Sequence, residues 1–140
     1  MISNIESQSD VATLISIFSE VWGAETLSEF VNNIQSNLCI LSKNTNSKVT
    51  GYLFYDYDRR EDFIEITDLG VAYEYQGQGY GKELVDYICK QSACVRLSVR
   101  TDNDIAKNLY TVLGFKEIHI VQNYYGVGSD GMRMEWKKDD

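Results

Sequence analysis

Near the start of the chain, apolar side chains recur every three or four residues. Val11, Leu14, Ile15, Phe18, Val21 and Trp22 share one helical face. Ser9 or Asp10 stands where an N-cap is needed, and Gly23 closes the helix. Thr26 with Glu29 makes a capping-box pattern, and Leu27, Phe30, Val31 and Ile34 form a second amphipathic face. The period then changes. Leu38 to Leu41 is a short apolar run, Asn44 to Ser47 is turn chemistry, and Val49 to Tyr57 is rich in β-branched and aromatic residues. These two runs read as a hairpin. Asp58 to Asp62 is a charged turn, and Phe63 to Tyr73 is the longest strand candidate.

A helical pattern returns over Gly79 to Gln91, with Leu84, Val85, Ile88 and Cys89 on one face. Val95, Leu97 and Val99 alternate as a strand. Asn103 to Leu113 reads as a helix with Ile105, Leu109 and Leu113 inward and Gly114 as its cap. Phe115 to Tyr125 and Met132 to Trp136 are two closing strands. A strand–helix–strand unit in the middle must be parallel, whereas flanking hairpins are antiparallel. The fold class expected is therefore α+β, built on a mixed sheet.

Composition narrows the class. The 140 residues, at 16.0 kDa, fit a single domain spanning 1–140. With 44% apolar and 24% charged residues, the chain is neither disordered nor fibrous. No apolar run is long enough for a membrane span. Met1 to Asp10 carries no Lys or Arg and does not resemble a signal peptide, so a cytoplasmic location is expected. The charge is −8, from 13 basic and 21 acidic residues, which argues against a nucleic-acid partner. Cys39, Cys89 and Cys94 match no metal spacing and read as reduced, small hydrophobes. No metal is expected.

The segment Gln76-Gly77-Gln78-Gly79-Tyr80-Gly81-Lys82 lies between the longest strand and an amphipathic helix. Glycines let the backbone approach a ligand. A turn opening a helix presents free N–H groups backed by the helix dipole, which is a phosphate site in physical terms. Lys82 adds a counter-charge. A Walker loop is excluded, because Gln76 stands at its first glycine and Glu83 where its hydroxyl residue belongs. A dinucleotide fingerprint is disfavoured, because Gly77, Gly79 and Gly81 alternate in Gly-x-Gly-x-Gly spacing.

The pattern Gln76-x-x-Gly79-x-Gly81 after a Leu-Gly-Val strand resembles the pyrophosphate loop of the GCN5-related N-acetyltransferases (GNAT). The segment Asn103 to Tyr110 followed by Leu113-Gly114-Phe115 resembles that family's second signature. The resemblance implies a twisted mixed sheet of about six to seven strands flanked by about four helices, and acetyl-CoA as donor. By the same resemblance, pantetheine would lie between the strands Phe63–Tyr73 and Val95–Val99 and pair with backbone near Leu69 and Val71. The amides of Gln76 to Lys82 would hold the pyrophosphate. Asn103, and secondarily Asn108, would hydrogen-bond the pantetheine or acetyl end.

Acyl transfer from a thioester to an amine must move two protons. A lysine-like ammonium is neutral only about once in 2,500 at pH 7, roughly 4.6 kcal/mol uphill, whereas an α-amine costs only about 1.4 kcal/mol. Tyr110 occupies the family's tyrosine position and is the candidate acid for the departing sulfur. Glu65, at the spacing of the histone-acetylating members, and Asp68 are the candidate bases, with water alone as a third option. Where members acetylating ribosomal proteins carry a glutamate upstream of the motif tyrosine, this chain has Ser98. His119, flanked by Ile118 and Ile120, reads as a sheet residue. The tyrosines at 52, 55, 57, 124 and 125 fit β-propensity or an aromatic cleft for a cationic amine.

The function expected is an N-acetyltransferase acting on a small-molecule or peptide amine by direct attack in a ternary complex. A non-catalytic acyl-CoA-binding or sensing module on the same fold is the alternative. No membrane partner is expected, and a homodimer through the closing strands is left open.

Overall fold

The computed structural model describes residues 1–25, 27–36 and 38–138. The described residues form seven strands and four α-helices: β1 (Ile2–Ser3), α1 (Gln8–Trp22), α2 (Leu27–Ser36), β2 (Leu38–Lys43), β3 (Val49–Asp58), β4 (Phe63–Val71), α3 (Tyr80–Cys89), β5 (Cys94–Arg100), α4 (Asp104–Val112), β6 (Lys116–Val121) and β7 (Gly131–Lys137). The strands hydrogen-bond in the order β1-β2-β3-β4-β5-β7-β6. This is the mixed sheet and helix number that the sequence pattern and the family resemblance predict. Two elements fall outside the expectation: the short β1, and the insertion of β7 between β5 and β6. The chain divides into two compact units, one of Met1–Asp56 with Asp68–Tyr87, the other of Tyr57–Thr67 with the chain from Ile88 onward.

In the first unit, α1 starts earlier than the apolar pattern indicates. Ser7, not Ser9 or Asp10, is its N-cap, and its hydroxyl accepts the Asp10 N–H at 3.1 Å. Asp10 is instead buried within the first turn, where its carboxylate accepts from the Glu6 N–H at 2.9 Å and from Lys43 Nζ at 3.3 Å. A carboxylate that satisfies both the chain entering the helix and a buried ammonium is drawn inward, which moves the cap upstream. Thr26, the proposed start of the second capping box, lies outside the described residues. The inward faces of α1 and α2 meet β2 and β3 in an aromatic core. Phe18 stacks on Phe30 with centroids 4.0 Å apart, and Phe30 touches Tyr52 at 5.4 Å and Phe54 at 5.2 Å. Leu14, Ile17 and Leu41 complete it. Such ring pairs each contribute about 0.5–1.5 kcal/mol beyond their buried area. β2 and β3 pair antiparallel, from Leu38 opposite Tyr55 to Ser42 opposite Gly51, as the hairpin reading expects.

In the second unit, the start of β4 pairs parallel with β5, Phe63 to Glu65 against Cys94 to Arg96. β5 runs antiparallel to β7 along its whole length, Cys94 opposite Lys137 through Arg100 opposite Gly131. Alternation sorts the side chains. Val95, Leu97, Val99, Met132 and Met134 are buried, while Arg96, Ser98, Arg133 and Glu135 form a half-buried charged face. Two expectations are corrected here. The strand proposed over Phe115 to Tyr125 ends at Val121, because turn chemistry overrides the β-propensity of Tyr124 and Tyr125. Asn123 takes φ +56, donates its N–H to Asp130 Oδ1 at 2.9 Å and accepts the Gly128 N–H on its Oδ1 at 2.8 Å. In α4, Ile105 points outward and is 86% exposed. The inward row is Ala106, Leu109, Tyr110 and Leu113, a regular i, i+3, i+4, i+7 stripe that excludes the first turn.

Candidate active site

β4 ends in a single 3-10 turn, Tyr73–Tyr75, and the glycine loop follows. Gly77 has φ +78 and Gly79 φ +92, and a Cβ on either would meet nothing within 4 Å. The loop is therefore left-handed and open on its outer side. The helix ladder begins when the Glu83 N–H donates to the Gly79 carbonyl at 2.9 Å. The amides of Tyr80, Gly81 and Lys82 precede that bond and have no intrahelical acceptor. Gln76 and Gln78 brace the loop from within, their side-chain amides donating to the Val71 carbonyl at 3.0 Å and the Glu74 carbonyl at 3.2 Å. Lys82 pairs with Asp86 at 3.2 Å, both exposed, so its charge is shared along α3. Bare amides at a helix mouth, with open space beside Gly77 and Gly79, suit a diphosphate.

Upstream of this loop, Asp68 and Leu69 are half-buried on β4. Tyr52 Oη donates to Asp68 Oδ1 at 3.2 Å, and Trp22 Nε1–H donates to the same tyrosine oxygen at 3.1 Å. Burial pushes the Asp68 carboxyl up to about 6, although the Tyr52 hydroxyl and the Leu69 amide pull it the other way. Burial likewise raises the Cys39 thiol to about 12 and pushes the Tyr52 phenol far above its ordinary range. The tyrosine ring fits because of Gly70: a Cβ there would lie 2.5 Å from Tyr52 Cε1.

Glu65, the other candidate base, has different partners. Arg133 grips it with two prongs, Nη1 to Oε2 at 2.9 Å and Nη2 to Oε1 at 2.8 Å. The same Nη1 reaches Ser98 Oγ at 2.9 Å. These hydrogen bonds hold the guanidinium firmly charged. Alongside, Arg96 bonds Glu135 at 2.8 Å and lies 4.5 Å from the Phe63 centroid, while Arg100 lies 5.0 Å from that of Tyr125.

On α4, Asn103 is the N-cap, its Oδ1 accepting the Ala106 N–H at 3.1 Å, which leaves its amide NH2 as the donor it can offer a ligand. Asn108 is exposed. Tyr110 is buried, edge-on to Phe115 with centroids 5.5 Å apart. His119 is exposed on β6. Sequence reasoning did not name Arg133, placed Trp22 only on the apolar face of the first helix, and read Tyr52 as a strand aromatic or as part of an aromatic cleft. The inward alternation of Tyr52 with Phe54 was the one available signal, and it could not name a partner.

The sequence model of the Acetyltransferase (GNAT) family matches residues 10–115. The chain belongs to this family. It is 38% identical over 81 residues to "N-alpha-acetyltransferase RimI" of Mycobacterium tuberculosis (strain ATCC 25618 / H37Rv), covering 54% of this chain and 50% of that protein. The chain spans about half the length of the curated relatives it matches. Among solved structures, the ribosomal-protein-S18-alanine N-acetyltransferase from Escherichia coli superposes with a TM-score of 0.81 at 23% identity, over 98% of this chain and 92% of that one. An aminoglycoside 6'-N-acetyltransferase complexed with coenzyme A superposes with a TM-score of 0.82 at 14% identity, over 100% and 99%. At these identities the superpositions show the GNAT fold.

Proposed function

We propose that this GNAT chain transfers an acetyl group from acetyl-CoA to a primary amine by direct attack within a ternary complex. The observation that carries the reading is the open glycine cradle at the mouth of α3. Bound there, the thioester supplies the activated acetyl group. The amides of Gly77 to Lys82 take its diphosphate, with Gln76 and Gln78 keeping the loop in shape. Backbone groups of Leu69 and Val71, and the side chains of Asn103 and Asn108, are assigned to the pantetheine arm by the family motifs.

The acceptor nitrogen gives up two protons in all while a C–N bond forms and the C–S bond breaks. One proton ends on the departing sulfur, for which Tyr110 is the donor. The other leaves through a base to solvent. Of the two candidate carboxylates, Asp68 is favoured, because both oxygens of Glu65 are occupied by Arg133 whereas Asp68 titrates near the working pH. Its position also favours a class of acceptor. Moving a proton from an α-amine of pKa near 8 to a carboxylate near 6 is about 2.7 kcal/mol uphill, against roughly 6 kcal/mol from a lysine ammonium. A peptide or small-molecule α-amine is therefore the acceptor proposed, in keeping with the name of the mycobacterial relative.

A thiol-release assay with acetyl-CoA tests this against peptide α-amines, lysine ε-amines and small amines. Turnover greatest on an α-amine is expected. Tight acetyl-CoA binding by calorimetry, without thiol release on any amine, would instead establish a non-catalytic acyl-CoA-binding module.

A further inference from the structure

Three side chains that are far apart in sequence form a single file of hydrogen bonds in the first unit. Trp22, the last residue of α1, donates from its indole N–H to the oxygen of Tyr52, and Tyr52 on β3 donates a hydrogen bond from its own hydroxyl to Asp68 Oδ1 on β4. The direction is fixed chemically. Indole nitrogen only donates, so the tyrosine oxygen must accept from it and aim its single proton at the carboxylate. The arrangement is also built, not incidental. Tyr52 is fully buried among Phe30 and Phe54, and Gly70 clears the volume its ring occupies.

We propose that Tyr52, backed by Trp22, is a positioning residue that occupies one oxygen of Asp68, fixes the carboxylate rotamer, and sets the pH at which that group accepts the acceptor's proton. The proposal rests on the reading of Asp68 as base. A carboxylate has about four lone-pair sites, so one tyrosine bond and the Leu69 amide leave room for an ammonium or a bridging water. Among the described residues, Cys39 on β2 and Tyr52 on β3 face Asp68, with Trp22 beyond the tyrosine. The cysteine remains a thiol and the tyrosine a phenol across the neutral range, so neither competes for the proton. Charging of the site is thus governed by hydrogen-bond donation and burial. Polarisation along the file strengthens its last bond, so removing the indole weakens the tyrosine's grip without touching the tyrosine.

The test reads Asp68 directly. In protein carrying 13C-carboxyl aspartate, the Asp68 resonance, assigned with Asp68→Asn, is titrated in the wild type, in Tyr52→Phe and in Trp22→Phe. Tyr52→Phe is expected to raise the midpoint by about half a unit or more, because the neutral acid needs that donor less than the carboxylate does. Trp22→Phe is expected to move it upward by a smaller amount. The acidic limb of the kcat/KM profile on an α-amine should move with the NMR midpoint in each variant. A midpoint in Tyr52→Phe unchanged from the wild type overturns the proposal. If that variant fails to fold, Trp22→Phe decides, since the indole is 55% exposed: an upward shift supports the file and no shift overturns it. Absence of turnover on every amine would sink the assignment of Asp68 as base and leave the titration to judge the hydrogen bonds alone.

Discussion

Replacing Asp68 with asparagine removes a charge that the fold tolerates poorly. The carboxyl rises from 3.8 to about 6 on folding, and burial is the leading cause. At about 1.36 kcal/mol per unit, a shift of that size makes the ionised native state roughly 3 kcal/mol less stable than the protonated one, relative to the unfolded chain. The sign follows from the order of titration. Below about pH 4 the group is protonated in both states and the native protein keeps its full stability. As pH rises, the unfolded chain loses the proton first, and native stability falls until the folded group has titrated through about 6. Asparagine keeps a carbonyl oxygen to accept from Tyr52 and has no charge to desolvate. The variant should match the wild type near pH 4 and exceed it by up to about 3 kcal/mol at pH 8, less whatever the weaker hydrogen bond forfeits. For a chain of this length that is about 10 °C in Tm. Urea denaturation followed by far-UV circular dichroism at steps between pH 4 and 8 measures the difference, in which the other titrating groups cancel. A constant gap between the two proteins across that range, or a variant less stable at pH 8, would refute the reasoning. If Asp68 is the base, the more stable variant should also be the slower one, a trade expected where a site holds a buried charge for its chemistry.

Three other substitutions probe the rest of the argument. Gly70→Ala forces a methyl to within 2.5 Å of Tyr52 Cε1, so it should cost about 1–3 kcal/mol and shift the Asp68 midpoint, measurable by denaturation and by carboxyl NMR. Gly79→Asp strains a φ of +92 and sets a carboxylate before the cradle amides, so CoA affinity by calorimetry should fall at least about tenfold while the fold persists. Tyr110→Phe keeps the contact with Phe115 and loses only the hydroxyl. It should lower kcat at least about tenfold with little change in CoA binding, and an unchanged kcat would remove Tyr110 from the chemistry.

What the chain alone determined is local. The faces of α1 and α2, the alternation of β5, and the glycine loop opening α3 are each set within a few residues by period, caps and backbone freedom, and the two family motifs sit on such segments. Errors arose where local signals competed, as at Ser7, where a buried carboxylate moved the cap, and at Asn123, where a turn cut a strand short. The two candidate bases could be named from β4, and family spacing put Glu65 ahead of Asp68, but the partners of each could not be read. Their difference lies in bonds to residues distant along the chain, Tyr52 at 16 positions from Asp68 and Arg133 at 68 positions from Glu65. Sequence sets which groups can ionise; burial beside β3 lifts Asp68 toward neutral pH, and Arg133 on β7 takes up both oxygens of Glu65. That is a property of the electrostatic environment, and it exists only once the strands have paired.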